Sequence, residues 1–202
     1  MSMLLDPLPE KVRIGGTDYP INWDFRTSIR FELLVQDDEV SDEQKIREAL
    51  KLYYPIKPQN PAEAVDKIIW FYGCGKEKES EQKRNASEGT ETPHKQVYSF
   101  DYDAEYIYAA FLSQYGIDLT EIEGLHWWKF RAMFKALDEK CEFVKIMGYR
   151  SMKITSKMSK EQRAFYKKMQ ALHALPASQK EREETNRLVE ALLNGGDLTG
   201  LV

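Results

Sequence analysis

The chain has 202 residues, of which 42% are hydrophobic and 31% charged, with 29 Lys and Arg against 33 Asp and Glu. This length suits one domain and the apolar fraction is enough for a core, which excludes a wholly disordered chain. The net charge of −4 argues against a protein that coats nucleic acids in general, and no apolar run approaches the roughly 18–20 residues of a membrane span.

The first predicted element is a β-hairpin. Residues 12–14 alternate in polarity, Gly15 and Gly16 supply a turn, and residues 19–21 return. Paired glycines tolerate the positive φ angles of a tight turn, and Pro20 confines its strand to an edge. Because an isolated hairpin is only marginally stable in water, we expect this one to lie against helices.

Explicit signals for helix starts follow the hairpin. Asp24 precedes apolar residues spaced by four, Ser41 begins a capping-box pattern that ends at Gln44, and Asn60 is followed by a proline and, two residues later, a glutamate. These patterns predict three helices, the last of which ends at residues 73–75.

A polar tract then interrupts the pattern. Residues 76–96 contain no apolar side chain larger than Ala86, so they bury too little surface to offset their ordering entropy. We therefore predict a mobile charged loop or linker at 76–96. It separates a hairpin and helices at 1–75 from a helical part at 97–202 that packs with the first as one domain. The predicted fold class is mainly α.

The second half is denser in helical patterns. Asp101 is predicted to cap a helix that ends at Gly116, and further helices are predicted at 124–138 and 143–149. Two more capping boxes begin at Ser159 and Ser178 and predict two final helices.

Acidic residues near a histidine are the first candidate for chemistry. Asp101, Asp103 and Glu105, with His126, could bind a divalent cation. The simpler interpretation places the carboxylates in a helix first turn, where they complement its dipole, and makes His126 a core residue because it projects beside Phe130. We favour the simpler interpretation.

Other patterns of catalytic or cofactor sites are missing. Residues 73–76 lack the spacing of a phosphate-binding loop, and no serine-nucleophile motif occurs. Cys74 and Cys141 lie outside metal or redox spacings, which fits a reducing cytoplasm. We expect no enzyme, no catalytic or metal-binding residue and no cofactor.

Charge is unevenly distributed. Residues 145–168 carry eight bases and one acid, a local charge of +7, whereas residues 24–48 carry eight acids and four bases. One interpretation is a nucleic-acid patch. The other is a solvated helix face that matches the acidic segment within the chain or in another copy. We favour the second, because no recognised module with base-stacking aromatics accompanies the basic run.

Two adjacent tryptophans give the sharpest prediction. On the helix predicted at 124–138, Trp127 projects with the apolar face and is assigned to the core. Trp128 projects to the other side beside Arg131 and Lys135, and it is either core as well or an exposed anchor for a partner. The candidate partner-binding residues are therefore Trp128, Arg131, Lys135, Lys153, Lys157, Arg163 and Lys167.

Three segments are more distinctive than the capped helices. They are YSFDYDAEYIYAAFLSQYGIDL at 98–119, LHWWKF at 125–130 and FVKIMGYR at 143–150. With them, the chain resembles the bacteriophage gene-product-15 family, proteins of tailed phages and prophages of Gram-positive hosts. The resemblance extends from roughly residue 3 to residue 195 and is loosest in the polar tract.

The resemblance implies a role in phage assembly and no established catalytic activity. The family is similar in gene position to tail-assembly chaperones, which implies a protein of the host cytoplasm that coats the tape measure protein before tail-tube subunits polymerise. The implied partners are the tape measure protein and further copies of this chain, without a membrane. Two alternatives stay open: a structural component kept in the virion, and a nucleic-acid-binding module that uses residues 145–168.

Overall fold

The computed structural model describes residues 3–76 and 96–176. In these two ranges the elements in chain order are β1 (Lys11–Ile14), β2 (Thr17–Pro20), α1 (Phe25–Gln36), α2 (Asp42–Tyr53), α3 (Pro61–Tyr72), α4 (Ala104–Tyr115), α5 (Trp127–Lys135), α6 (Glu142–Ser151) and α7 (Lys160–Leu172). The prediction of a mainly α fold with an N-terminal hairpin is confirmed. The predicted loop at 76–96, except for its two end residues, and the helix predicted from Ser178 lie outside the described residues. The proposed division into parts stays a prediction.

The hairpin forms as its glycines predict. Its antiparallel register pairs Lys11 with Pro20 and Ile14 with Thr17. Gly15 and Gly16 have φ angles of 56° and 80°, a conformation that only glycine adopts without strain in two successive residues. The hairpin packs on α3, and the Gly15 amide donates a hydrogen bond of 2.9 Å to Glu63.

The local capping predictions are confirmed. The hydroxyls of Ser41 and Ser159 each accept a hydrogen bond from the backbone amide of the glutamine three residues on. The serine amides donate in turn to the side-chain oxygen of that glutamine, so both capping boxes are complete. Asn60 caps α3 with a proline at its first position, and Asp24 caps α1. These contacts occupy amide groups that a helix start leaves without partners.

Two boundaries differ from the predictions. The capping role assigned to Asp101 is wrong: Asp103 is the residue before α4, and its side chain makes no cap hydrogen bond. α5 is shorter than 124–138. It begins only at Trp127 because the Phe25 amide donates to the Leu125 carbonyl and the Trp127 amide donates to the Trp23 carbonyl, both at 2.9 Å, and it ends at Lys135. This bridge holds the residues before Trp127 in an extended conformation.

An aromatic core joins both described ranges. Phe130 on α5 stacks on Phe25 of α1 at 4.8 Å between ring centroids and on Phe111 of α4 at 4.9 Å. All three are buried, and large aromatic side chains contribute most to a core of this size. The core therefore fixes α4 and α5 against the N-terminal helices. Neither described range has a helix that is both long and apolar enough to cross a membrane.

Candidate partner-binding surface

Side chains of α5 close the C-terminal end of α3. The indole nitrogen of Trp127 and the guanidinium of Arg131 both donate to the Tyr72 carbonyl, at 2.9 and 2.7 Å. The indole nitrogen of Trp128 donates to the Phe71 carbonyl at 2.8 Å. The last carbonyls of a helix have no partner inside it, so these three donors complete α3.

Trp128 is a core residue. Only 4% of it is exposed, compared with 2% of Trp127. Gly75, at a φ angle of 73°, lies so close to the indole that an added Cβ would come within 2.6 Å of it. The core assignment of Trp127 is confirmed, and the interpretation of Trp128 as an exposed partner anchor is wrong, because the end of α3 covers its ring.

His126 also belongs to the core, as predicted. Its Nδ1 accepts a hydrogen bond from the Trp128 amide at 3.1 Å, which makes it the N-cap of α5. Nε2 therefore carries the proton and donates to the Pro9 carbonyl at 3.1 Å. Burial lowers the pKa of His126. Among the described residues, no three potential metal ligands lie together.

The other two α5 candidates differ in exposure. Arg131 is half-buried, and its guanidinium lies over the rings of Tyr72 and Trp127 at 5.2 and 5.7 Å from their centroids. With its hydrogen bond to α3, it supports the fold and offers little to a partner. Lys135 is exposed at the end of α5.

One member of the basic run lies inside the protein. Arg150 is 4% exposed and forms a two-point ion pair with Asp103, at 2.6 and 2.8 Å. It also donates to the carbonyls of Val97 and His173. Arg150 therefore ties the ends of α6 and α7 to the start of α4, and it contributes nothing to a basic surface.

The four candidates that follow α6 also lie on the surface. Lys153 and Lys157 lie in the loop before α7, and Arg163 and Lys167 lie one turn apart on α7. All four are exposed. Within the described part of the chain none of them forms an ion pair. Together they form a surface that we call the basic face: Lys153, Lys157, Arg163 and Lys167.

The acidic segment at 24–48 is partly neutralised by its own neighbours. Ion pairs join Asp24 to Arg26 at 3.3 Å and Glu43 to Arg47 at 3.0 Å. Glu32 accepts a hydrogen bond from the Tyr72 hydroxyl. The bases in these pairs are already counted in the composition of the segment, which keeps its net acidic charge.

An apolar groove, which the sequence reasoning missed, lies between α1, α4 and the loop after α4. It has a volume of about 380 Å³ and is lined by Ile29, Phe100, Ala104, Glu105, Ile107, Tyr108, Leu119, Thr120 and Phe130. The sequence does contain a signal for its electrostatics: residues 96–125 include six acids and no lysine or arginine.

The rim of this groove holds charged carboxylates. Asp118 accepts hydrogen bonds from Tyr108 at 3.0 Å and from the Thr120 hydroxyl and amide at 2.5 and 2.8 Å. The hydrogen bonds of Thr120 are the main reason that the pKa of Asp118 is lowered. Glu105, which lines the groove, and Glu121, which follows the lining residue Thr120 in the chain, are both exposed. The groove is thus apolar inside and negatively charged at its edge.

α7 packs on the body along one side only. Its main contacts are to α6 and the residue that follows it, where Gln170 donates to the carbonyls of Tyr149 and Met152 at 3.0 and 2.8 Å. No residue of α7 is buried. Phe165 and Leu172 remain 48% and 66% exposed. An amphipathic helix with solvent-exposed apolar side chains is typical of a site that binds another chain.

A family model described as Bacteriophage Gp15 protein matches residues 4–175. The match includes the three distinctive segments at 98–119, 125–130 and 143–150. No curated protein and no solved structure matches the chain.

Proposed function

The chain belongs to the bacteriophage Gp15 protein family, and on that premise we propose that it is a tail-assembly chaperone. Family membership points to a phage structural or assembly protein. The finer proposal is that many copies coat the tape measure protein in the host cytoplasm before tail-tube subunits polymerise, without any enzymatic step. The observation that carries the proposal is the family match over residues 4–175, together with the gene position that the family resemblance implies.

The physical need for such a protein is clear. A long helical tape measure exposes apolar stripes, and it aggregates unless they are covered. A small helical protein covers such a stripe with modest affinity per copy and many copies in a row. Modest affinity is required because the tube subunits must later displace the coat.

The basic face is the proposed contact with the tape measure. Its four cations are exposed and unpaired within the described residues, so binding does not first have to break an internal ion pair. Arg163 and Lys167 project roughly opposite Phe165 and Leu172 around the helix, at about 100° per residue. The basic face can therefore bind one partner while the apolar flank of α7 binds another.

Co-expression with the tape measure gene of the same phage tests this contact. We expect the wild type to keep the tape measure soluble and to co-purify with it. Arg163→Gln with Lys167→Gln should weaken the complex roughly tenfold, as expected for the loss of two surface charge contacts. The matched control, Arg47→Gln with Lys51→Gln, removes the same charge from α2 and should bind as the wild type does. Equal binding by both double variants would contradict the assignment of the basic face.

Two further measurements separate the alternatives. A chaperone should be missing from purified virions by mass spectrometry, whereas stoichiometric amounts there would favour a structural component. A salt-dependent gel shift with nonspecific DNA, lost in the basic-face variant, would favour a nucleic-acid module.

A further inference from the structure

The apolar flank of α7 presents two side chains and one cation. Phe165 and Leu172 are spaced by seven residues, about 10 Å along the helix, and they project within about 20° of each other. Lys168 projects beside them. The flank lies next to the side of α7 that contacts α6. The Phe165 ring meets the Tyr149 ring edge-on at 6.0 Å between centroids and stays 48% exposed, and Leu172 is 66% exposed.

The groove has complementary properties. At about 380 Å³ it is within the range of about 300–1,000 Å³ in which proteins enclose a small ligand. Its lining is mainly apolar, with Glu105 and Thr120 as the polar exceptions. It therefore suits apolar side chains better than a charged metabolite.

The charges of the two surfaces also match. α7 carries four bases against the single acid Glu161. Lys168 projects beside the apolar flank, whereas the other three bases project to the opposite side of the helix. The segment at 96–125, which forms most of the groove, has six acids and no base, and only Asp103 among them is neutralised by a buried cation. Opposite potentials on two surfaces steer encounters and fix the register of a complex.

We propose that the apolar flank of α7 in one copy docks into the groove of a second copy, with Phe165 and Leu172 in the groove and Lys168 at its acidic rim. No residue of α7 lines the groove, so each copy keeps one free flank and one free groove after docking. Such a contact is head-to-tail and can continue to arbitrary length.

The inference deepens the proposed coating function and rests on it for its purpose. The contact itself is measured without the tape measure protein. Binding to the tape measure without self-association would defeat this inference alone. Self-association without tape measure binding would defeat the proposed function alone.

Two complementary variants test the contact in the full-length chain. Leu172→Asp places a charge on the apolar flank, and Ala104→Trp fills the groove from an exposed position at the first residue of α4. Both positions lie outside the core, and circular dichroism melts check that each variant is folded. Each variant alone should self-associate about tenfold more weakly or worse than the wild type, because one half of every contact is blocked.

Mixing distinguishes this contact from any other. An equimolar mixture should form a 1:1 heterodimer that does not grow, since one intact flank and one intact groove remain. The control Ile46→Asp, which places a charge at a similarly exposed apolar residue of α2, should assemble as the wild type does. Sedimentation velocity measures all five samples: the wild type, the two variants, their mixture and the control. A monomeric wild type at about 100 μM, a mixture without heterodimer, or undiminished assembly of either folded variant would overturn the proposal.

Discussion

The buried pair of Asp103 and Arg150 determines how the second half of the chain is held together. The two residues lie 47 positions apart, and Arg150 also reaches the carbonyls of Val97 and His173. Asp103 in turn accepts from the Ser99 amide at 2.9 Å. A buried ion pair contributes little net stability, but breaking one leaves an uncompensated charge in the interior.

Arg150→Met should therefore lower the free energy of unfolding by about 3–5 kcal/mol. The double variant Asp103→Leu with Arg150→Met should recover part of that loss, because it removes the stranded carboxylate. Urea unfolding measures both. The control Lys145→Met, at an exposed ion pair with Glu142, should change stability by less than about 1 kcal/mol. A single variant as stable as this control would contradict the role assigned to the pair.

Trp128 supports the fold, and its substitution should act on stability. Trp128→Ala removes a buried indole and should cost about 3–5 kcal/mol. Trp128→Phe keeps a ring but removes the indole donor to the Phe71 carbonyl, which still accepts from the Cys74 amide, and should cost about 0.5–1.5 kcal/mol for the lost hydrogen bond. Thermal and urea melts measure these changes. Below its melting temperature, the Phe variant should bind the tape measure as the wild type does; selective loss of binding would restore the anchor hypothesis.

His126 makes stability depend on pH. Its pKa is lowered from the ordinary value of 6.5, chiefly by burial. The unfolded chain therefore takes up a proton before the folded one does. The stability that neutral His126 contributes is fully present above about pH 6.5 and is lost as the pH falls through the lowered folded value. Protonation of Nδ1 also removes the acceptor for the Trp128 amide.

His126→Asn is the matched comparison, because asparagine caps a helix without titrating. Urea unfolding between pH 7.5 and 5.0 should show the wild type losing more stability than this variant. Parallel pH profiles for the two proteins would show that His126 does not titrate with unfolding.

At the scale of elements, α2 and α7 begin with the same capping box but are coupled differently to the body. α2 buries Ala49 and Tyr53 in the core, whereas α7 buries no residue. Helix stability in proteins comes mainly from a packed face. α7 thus depends more on its own cap than α2 does.

Removal of the two caps should have different consequences. Each of Ser41→Ala and Ser159→Ala should cost its helix about 0.5–2 kcal/mol. For Ser41→Ala the cost should appear in global unfolding. For Ser159→Ala it should appear as faster hydrogen exchange across residues 160–172, with nearly unchanged global stability. An equal loss of global stability in both variants would mean that α7 is as strongly coupled as α2.

At the scale of the whole molecule, charge is separated between surfaces that the fold keeps apart. The acidic segment at 24–48 makes internal ion pairs, whereas the groove rim and the basic face present most of their charge to solvent. Contacts between copies should therefore be sensitive to ionic strength.

The apparent mass by light scattering should fall as salt rises from low concentration to about 0.5 M, where screening lengths shrink to a few ångströms. The Leu172→Asp variant, measured in parallel, should show little change because its assembly is already weak. A wild-type mass independent of salt would rule out assembly assisted by charge.

The local features of this protein follow from residue spacing. The glycine turn, the capping boxes at Ser41 and Ser159 and the cap at Asn60 involve residues at most three positions apart, so their hydrogen bonds follow from spacing alone. Periodicity also assigned Trp127 and His126 to the core. The three distinctive segments indicated the family, because each combines residues that the whole fold requires and that no single helix would.

Other features depend on contacts between residues that are far apart in the chain. Trp128 projects away from the apolar face of α5. It is buried only because it packs against the end of α3, where its hydrogen-bond partner Phe71 lies 57 residues away in the chain. The sequence position of Asp103 is that of a carboxylate at a helix start, but its ion pair with Arg150 on α6 buries it. The groove needs α1, α4 and the following loop side by side, which helical periodicity does not specify. Partners brought together from such separations are selected by the packing of the whole core, and no pattern within one helix encodes them.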